Sequence, residues 1–172
     1  MFAHELEEEY FKKHLNKTHR VLEWGSGLST PQIAEQVDFL VSIEHNTEWY
    51  EKIKKNLSGR VKDNCKYLLR PPSTSGGGEN FKGKNHYIDF KEYVDAPLDD
   101  GPFDIILIDG RARVDCASKC PLLGHKDTIV FIHDFTVPGR EYYSESLEYL
   151  EHIETTMTMA KFKIKNFQSK NS

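Results

Sequence analysis

No stretch of this 172-residue chain supplies the roughly 20 consecutive apolar residues that a membrane helix requires, and the best run, Phe103 to Ile108, stops far short. The N-terminus, MFAHELEEEYFKKHL, is acidic where a secretory signal would be basic and then apolar. Both absences predict a soluble, cytoplasmic protein without a membrane segment. Cysteine is scarce: Cys65, Cys116 and Cys120 make an odd number with no CxxC pair, which excludes a disulfide framework and a cysteine zinc cluster. Cys116 and Cys120, four apart on a predicted helix, read as two buried small hydrophobes. A surplus of positive charge is also missing. Lys and Arg total 23 against 27 Asp and Glu, a formal charge of −4, and this excludes a broad nucleic-acid-binding surface. There is no internal repeat, and 38% hydrophobic with 29% charged residues fits neither collagen, a coiled coil nor a disordered chain. One domain spanning 1–172 remains, large enough to fold without disulfides or a structural metal.

What is present is an alternation of strand and helix patterns. An amphipathic helix over Glu5 to Leu15 precedes an apolar strand, Arg20 to Glu23, that runs into Trp24-Gly25-Ser26-Gly27. A helix follows, with Ser29 or Thr30 as its cap and Pro31 in its first turn, where the missing N–H costs nothing. Phe39 to Ile43 forms a strand ending at Glu44, and Thr47 to Leu57 places Trp49, Ile53 and Leu57 at helical spacing, with Trp49 and Tyr50 assigned to helix packing. Cys65 to Leu69 is a third strand. From Arg70 to His86 the composition shifts to Pro, Ser, Gly and Lys, which predicts a flexible loop within the domain. Phe103 to Ile108 is an apolar run of the kind buried on both faces of a parallel sheet, and it ends at Asp109-Gly110. A helix over Val114 to Leu123, a strand over Thr128 to Ile132 ending at His133-Asp134, a helix over Glu141 to Leu150 and one or two closing strands within His152 to Ile164 complete the chain. Such alternation predicts a doubly wound, mostly parallel sheet with helices on both faces.

In sheets of this class the ligand lies beyond the carboxyl ends of the strands. Those ends carry Glu23, Glu44, Asp109 and the pair His133-Asp134, so four polar positions converge on one expected site. The strongest signal is Glu23-Trp24-Gly25-Ser26-Gly27-Leu28-Ser29-Thr30: two glycines let the backbone turn sharply and approach a ligand, and the helix N-terminus behind them offers free N–H donors. Glu44, 17 residues beyond Gly27, is placed to accept both ribose hydroxyls of a nucleotide-like cofactor. Thr30 stands where a dinucleotide fingerprint requires its third glycine, which disfavours NAD.

The runs VLEWGSGLST, VSIEHNTEWYEKI, FDIILIDGRARVDCA and IVFIHDF together resemble the class I S-adenosylmethionine-dependent methyltransferases, in particular members with an EWGSGxST first motif and an IDGRAR fourth-strand motif. The resemblance spans roughly Arg20 to Leu150. It implies a compact Rossmann-like fold in which Glu23, Trp24, Gly25, Ser26, Gly27 and Ser29 form the loop holding the methionine part of the cofactor, with Glu23 near its ammonium. It further implies that Glu44 binds the ribose, that His45 flanks the adenine, and that Asp109 lies near the sulfonium and the acceptor. Many relatives place an acidic or small polar residue at the adenine after the third strand; here the chain reads Arg70-Pro71-Pro72-Ser73, leaving Ser73 for that contact.

Methyl transfer from a sulfonium needs alignment and, for an oxygen or nitrogen acceptor, a group that removes a proton. Asp109, His133 and Asp134 are the candidates, with histidine the natural base near neutral pH if it points into the cleft. Asp109 and Asp134 also resemble part of the magnesium site of catechol-type O-methyltransferases, but Phe135 stands where the third ligand, Asn, would be, so a divalent metal is the disfavoured alternative. Arg111, Arg113 and Arg140, with Lys82 and Lys84 in the loop, would favour a small anionic acceptor if grouped around the cleft. Trp24, Phe135, Tyr142 and Tyr143 are candidates to line its pocket. The expectation is a small-molecule methyltransferase. The alternatives are a non-catalytic binding or scaffold protein that kept the fold, and a nicotinamide-dependent oxidoreductase. A chain this short leaves substrate selection to the first helix, the loop, or a partner subunit in a homo-oligomer.

Overall fold

A computed structural model describes residues 5–57, 63–73 and 86–165. The expected alternation is present. In chain order the elements are α1 (Glu5–Lys12), β1 (Arg20–Trp24), α2 (Thr30–Ala34), β2 (Phe39–Glu44), α3 (Thr47–Leu57), β3 (Cys65–Leu69), α4 (His86–Asp95), β4 (Ile105–Ile108), α5 (Arg113–Leu123), β5 (Ile129–Ile132), a 3₁₀ helix over Glu141–Glu148, β6 (Leu150–Thr156) and β7 (Met159–Ile164). The strands form one seven-stranded sheet in the order β3-β2-β1-β4-β5-β7-β6. β3, β2, β1, β4 and β5 run parallel, while β7 and β6 close the edge antiparallel.

The short inner strands are apolar because both faces of the sheet are covered. Alternate residues go to opposite sides. Leu22, Trp24, Val41, Ile43, Ile106, Ile108, Val130 and Ile132 pack under Phe90, Tyr93 and Val94 of α4 and Cys116, Ala117, Cys120 and Leu123 of α5. Val21, Leu40, Ile105, Leu107 and Phe131 pack under Phe11 of α1 and Ile33 and Ala34 of α2. Cys116 and Cys120 are fully buried, as two small hydrophobes would be.

Several local expectations differ from the structure. Residues 86–95, for which no helix was expected, form α4, which carries Phe90, Tyr93 and Val94 into the core. Glu141–Glu148 is a 3₁₀ helix, not the start of an α-helix: its buried residues, Tyr143 and Ser146, are three apart, the repeat of that tighter coil. Leu150, expected to end that helix, opens β6. Neither Ser29 nor Thr30 caps α2 through its side chain; Thr30 Oγ1 instead accepts a bond from the Gly27 N–H and donates to Glu23. Of the expected loop 70–86, positions 74–85, with Lys82 and Lys84, lie outside the described residues.

Candidate functional site

The strand order reverses between β1 and β4: after β1 the chain adds β2 and β3 on one side, then crosses to place β4 on the other. Crossovers on opposite faces part there and leave a crevice. At this point lies a cavity of about 520 Å³ lined by Gly25, Ser26, Glu44, His45, Asn46, Glu48, Trp49, Lys52, Asp109, Gly110 and Arg111.

Its floor exists because two backbone loops touch. Gly25 has φ +93°, and a Cβ added there would come within 2.5 Å of Gly110 backbone atoms. One added at Gly110 would meet the Tyr93 hydroxyl at 2.0 Å. Only glycine fits either position, for steric reasons that precede any ligand.

Glu44 ends β2 buried, 2% exposed, and ties two walls together. Oε2 accepts bonds from the Ser26 N–H (3.0 Å) and hydroxyl (2.9 Å), and Oε1 from the His45 (2.9 Å) and Asn46 (2.8 Å) N–H groups. Burial pushes the carboxyl up, but bonds from His45, Asn46 and Ser26 outweigh it and hold Glu44 below the usual carboxylate range. The Ser26 hydroxyl also lies 2.7 Å from that of Tyr67, whose ring stacks on Tyr50. Asp109, at the end of β4, is 2.7 Å from Nδ1 of His133 and carries its charge on the opposite wall. Burial alone would raise its pKa; the hydrogen bond and charge of His133 and the charge of Arg113 bring it below normal.

The cavity thus gathers Gly25, Ser26, Glu44, His45, Asp109 and Arg111 from the residues expected by sequence. Others lie elsewhere. Trp24 is fully buried under α4 and donates from Nε1 to the Tyr93 carbonyl (3.1 Å), so its ring is core and absent from the cavity wall. Glu23 sits beneath the glycine loop, accepting bonds from Thr30 and Ser42, and is absent from the cavity wall; so are Gly27, whose N–H donates to Thr30, and Ser29, whose carbonyl accepts from Ile33 of α2. Ser73 is exposed, away from the wall, its N–H on the Asp89 carbonyl.

Arg113 is not placed for a substrate. It is 7% exposed, and its guanidinium donates to the Gly110, Asp109 and His133 carbonyls and to Asp134 (3.3 Å), which cross-links the ends of β4 and β5. Arg140 is bound to Asp134. Phe135 packs on Phe162, and Tyr143 lies under Arg113 and Arg140, so these aromatics serve the loops. His133 is 3% exposed, with both ring nitrogens near carboxylates: Asp109 at 2.7 Å and Glu7 of α1 at 3.1 Å. A histidine so enclosed is not poised to take a substrate proton.

Asp109, His133 and Asp134 bring three ligand-type atoms within 4.8 Å of one another. The donor set does not fit a divalent ion, because Arg113 and Arg140 already neutralise Asp134 and Asp109 faces both His133 and Arg113. No mechanistic step is routed through a metal.

Sequence reasoning missed Asn46, Glu48, Trp49 and Lys52. Positions 48, 49 and 52 share one face of α3, and 45 and 46 lie in the link that leads into it from β2, so the site runs on along α3. Trp49 Nε1 donates to the Ser26 carbonyl (2.8 Å) and Lys52 Nζ lies 4.4 Å from its ring, so Trp49 is cavity wall and not simple packing.

No family model and no curated protein matches the sequence. Solved structures do match. A methyltransferase-like protein from Silicibacter pomeroyi superposes with TM-score 0.76 at 20% identity, over 95% of this chain and 87% of its own. The chain has the methyltransferase-like Rossmann fold. A tRNA (m1A58) methyltransferase from Aquifex aeolicus gives TM-score 0.61 at 17% identity, covering 95% of this chain and 70% of that one. A candidate methyltransferase from Streptococcus mutans, solved in complex with SAH, gives 0.61 at 8% identity over 95% and 99%. At these identities the likeness is one of fold. No helix among the described residues is long and apolar enough to cross a membrane.

Proposed function

We propose that the protein binds S-adenosylmethionine in the cavity between β1, β2 and β4 and transfers its methyl group to a small anionic acceptor through oxygen or nitrogen. The observation that carries this reading is the pairing of Glu44, buried, and Asp109, half-buried, two carboxylates held below their usual range on opposite walls of one cavity at the switch point. Two negative groups suit a ligand that is cationic at one end and bears a ribose at the other. When bound, the cofactor supplies a methyl group on a sulfonium, whose thioether leaves without a proton.

The chain's own residues do the rest. Glu44 accepts the ribose hydroxyls, and Ser26, which has Tyr67 as a second partner, is able to release a Glu44 oxygen to them. Trp49 and His45 form the flat walls. Asp109 faces the reacting end and receives the acceptor's proton. Arg111, exposed at the rim, pairs with an anionic acceptor; Lys52 adds a second rim cation. Asp134, His133 and Arg113 hold this arrangement and do not touch the acceptor.

Titration calorimetry with S-adenosylhomocysteine and with NAD tests the reading. Micromolar homocysteine-analogue binding, about 8 kcal/mol, with no NAD heat is expected. Glu44→Gln weakens that binding about tenfold, because charge-assisted bonds are worth roughly 1.5–3 kcal/mol. NAD binding alone points to a nicotinamide enzyme, and binding of neither ligand to a protein that kept only the fold.

A further inference from the structure

Behind the cavity wall lies a chain of buried charges that the proposed reaction does not explain. Glu7, on α1, is fully buried. Its Oε1 accepts three bonds from the turn between β6 and β7, from the Thr158 N–H (2.7 Å), the Thr158 hydroxyl (2.7 Å) and the Met159 N–H (3.0 Å). Its Oε2 lies 3.1 Å from Nε2 of His133, 126 residues away, and Nδ1 of the same ring lies 2.7 Å from Asp109 on the cavity wall. A carboxylate only accepts, so a ring between two carboxylates satisfies both only when both nitrogens carry protons.

We propose that Glu7 and His133 are positioning residues: Glu7 holds His133 as an imidazolium, and that imidazolium fixes Asp109 as an ionised carboxylate facing the sulfonium of the bound cofactor. The role at the sulfonium rests on the proposed function above; the protonation state of His133 does not. The other charged groups about the ring agree. Asp134 lies 3.6 Å from Nδ1, on the end of β5, and Arg113 of α5 donates to the His133 carbonyl while its guanidinium lies 3.6 Å from Asp109. Among the described residues, Asp109, Asp134 and Glu7 face the imidazole, Arg113 lies beside Asp109, and Arg140 pairs with Asp134. Burial by itself would depress the titration of His133, but the bonds and charges of Asp109, Asp134 and Glu7 overcome it and raise it above the usual histidine value. Glu7 in turn is held low: burial raises it, and Thr158 and His133 more than compensate. Enclosed between Asp109 and Glu7, His133 has no ring nitrogen turned to the cavity. It lends Asp109 a fixed counter-charge, as the buried orienting partner does in other acid–base pairs.

Two readouts decide the proposal on the intact chain. Nitrogen-15 correlation spectra of the imidazole rings, assigned with His133→Asn, are expected to show both His133 nitrogens protonated at pH 7, with the titration midpoint lowered by about one pH unit, a tenfold change in proton affinity, in Glu7→Gln. A single protonated nitrogen at pH 7, or an unmoved midpoint in Glu7→Gln, overturns it. The second readout is the affinity for S-adenosylmethionine relative to S-adenosylhomocysteine, which isolates the sulfonium charge, at pH 6 and pH 8. His133→Asn is expected to lower that ratio about tenfold more at pH 6 than at pH 8, compared with wild type, because Asp109 without its cation takes up a proton. Glu23, near Asp109, titrates in the same range and is coupled to it, so both proteins carry Glu23→Gln in this comparison. Equal pH dependence in wild type and His133→Asn refutes the positioning role. Absence of any binding refutes the cofactor reading and the role of Asp109 in it, and leaves the spectra to decide the imidazolium. If His133→Asn fails to fold, the Glu7→Gln spectra, assigned by selective labelling, decide the matter alone.

Discussion

Glu23 shows how far one buried carboxyl can set the behaviour of this protein. It is 1% exposed beneath the glycine loop, where it accepts bonds from the Thr30 and Ser42 hydroxyls, two neutral groups. Burial raises its pKa most, Ser42 and Thr30 lower it, Asp109 raises it again, and the net result is about 7. An acid raised in the folded state from 4.5 to about 7 leaves stability intact below pH 4.5 and drains it as the pH climbs through 7. The difference corresponds to about 3 kcal/mol at pH 8. Glu23→Gln, whose amide oxygen still accepts from Thr30 and Ser42, removes that loss. Urea unfolding is expected to show the variant more stable than wild type by up to about 3 kcal/mol at pH 8 and indistinguishable from it at pH 4.5. Parallel stability curves across this range would show that Glu23 titrates normally.

At the scale of elements, α1 has eight residues and cannot hold itself as a helix in water. Its buried contacts hold it: Glu7 against the β6–β7 turn and His133, and Phe11, fully buried, edge-on to Phe131 at 5.1 Å. Phe11→Ala opens a cavity on that face of the sheet and is expected to cost about 3–5 kcal/mol in denaturant unfolding. Leu6→Ala, on the same helix but 60% exposed, is expected to change stability by less than about 0.5 kcal/mol. A Phe11→Ala loss as small as that of Leu6→Ala would mean that α1 is not docked. Elements differ in how clearly their sequence announces them. β4 and β5 were legible because strands covered on both faces read as short unbroken apolar runs, and β1 and β2 because their apolar runs are broken only at Glu23 and Ser42; Glu44, Asp109 and His133 were legible as the polar residues at their ends. α4 was missed because its pattern follows directly on the Gly- and Lys-rich stretch that masked its start. Trp49 was misread because Trp49, Ile53 and Leu57 at helical spacing look like one packing stripe, whereas only Ile53 and Leu57 are buried and Trp49 turns to the cavity. Nothing local marks Glu7 as the partner of His133: a contact across 126 residues exists only once the sheet has brought the end of β5 under α1.

At the scale of the whole molecule, the cavity draws its walls from three separate crossovers, the segments after β1, β2 and β4, so a ligand there bridges regions that part only when the sheet itself comes apart. Ligand binding and global stability are therefore linked: a molecule that binds the folded chain and not the unfolded one adds RT ln(1 + [L]/Kd), about 2.7 kcal/mol at a hundredfold excess over Kd. For a chain of this length each kcal/mol moves Tm by roughly 2–4 °C. S-adenosylhomocysteine at a hundred times its Kd is thus expected to raise Tm by about 5–10 °C in differential scanning calorimetry, and NAD at the same concentration to leave it in place. Glu44→Gln, binding about tenfold more weakly, then recovers only about half of that rise at the same ligand concentration, since tenfold is worth about 1.4 kcal/mol. A wild-type Tm unmoved by S-adenosylhomocysteine at millimolar concentration would mean that these three segments do not close on this ligand, whatever the fold they share with methyltransferases.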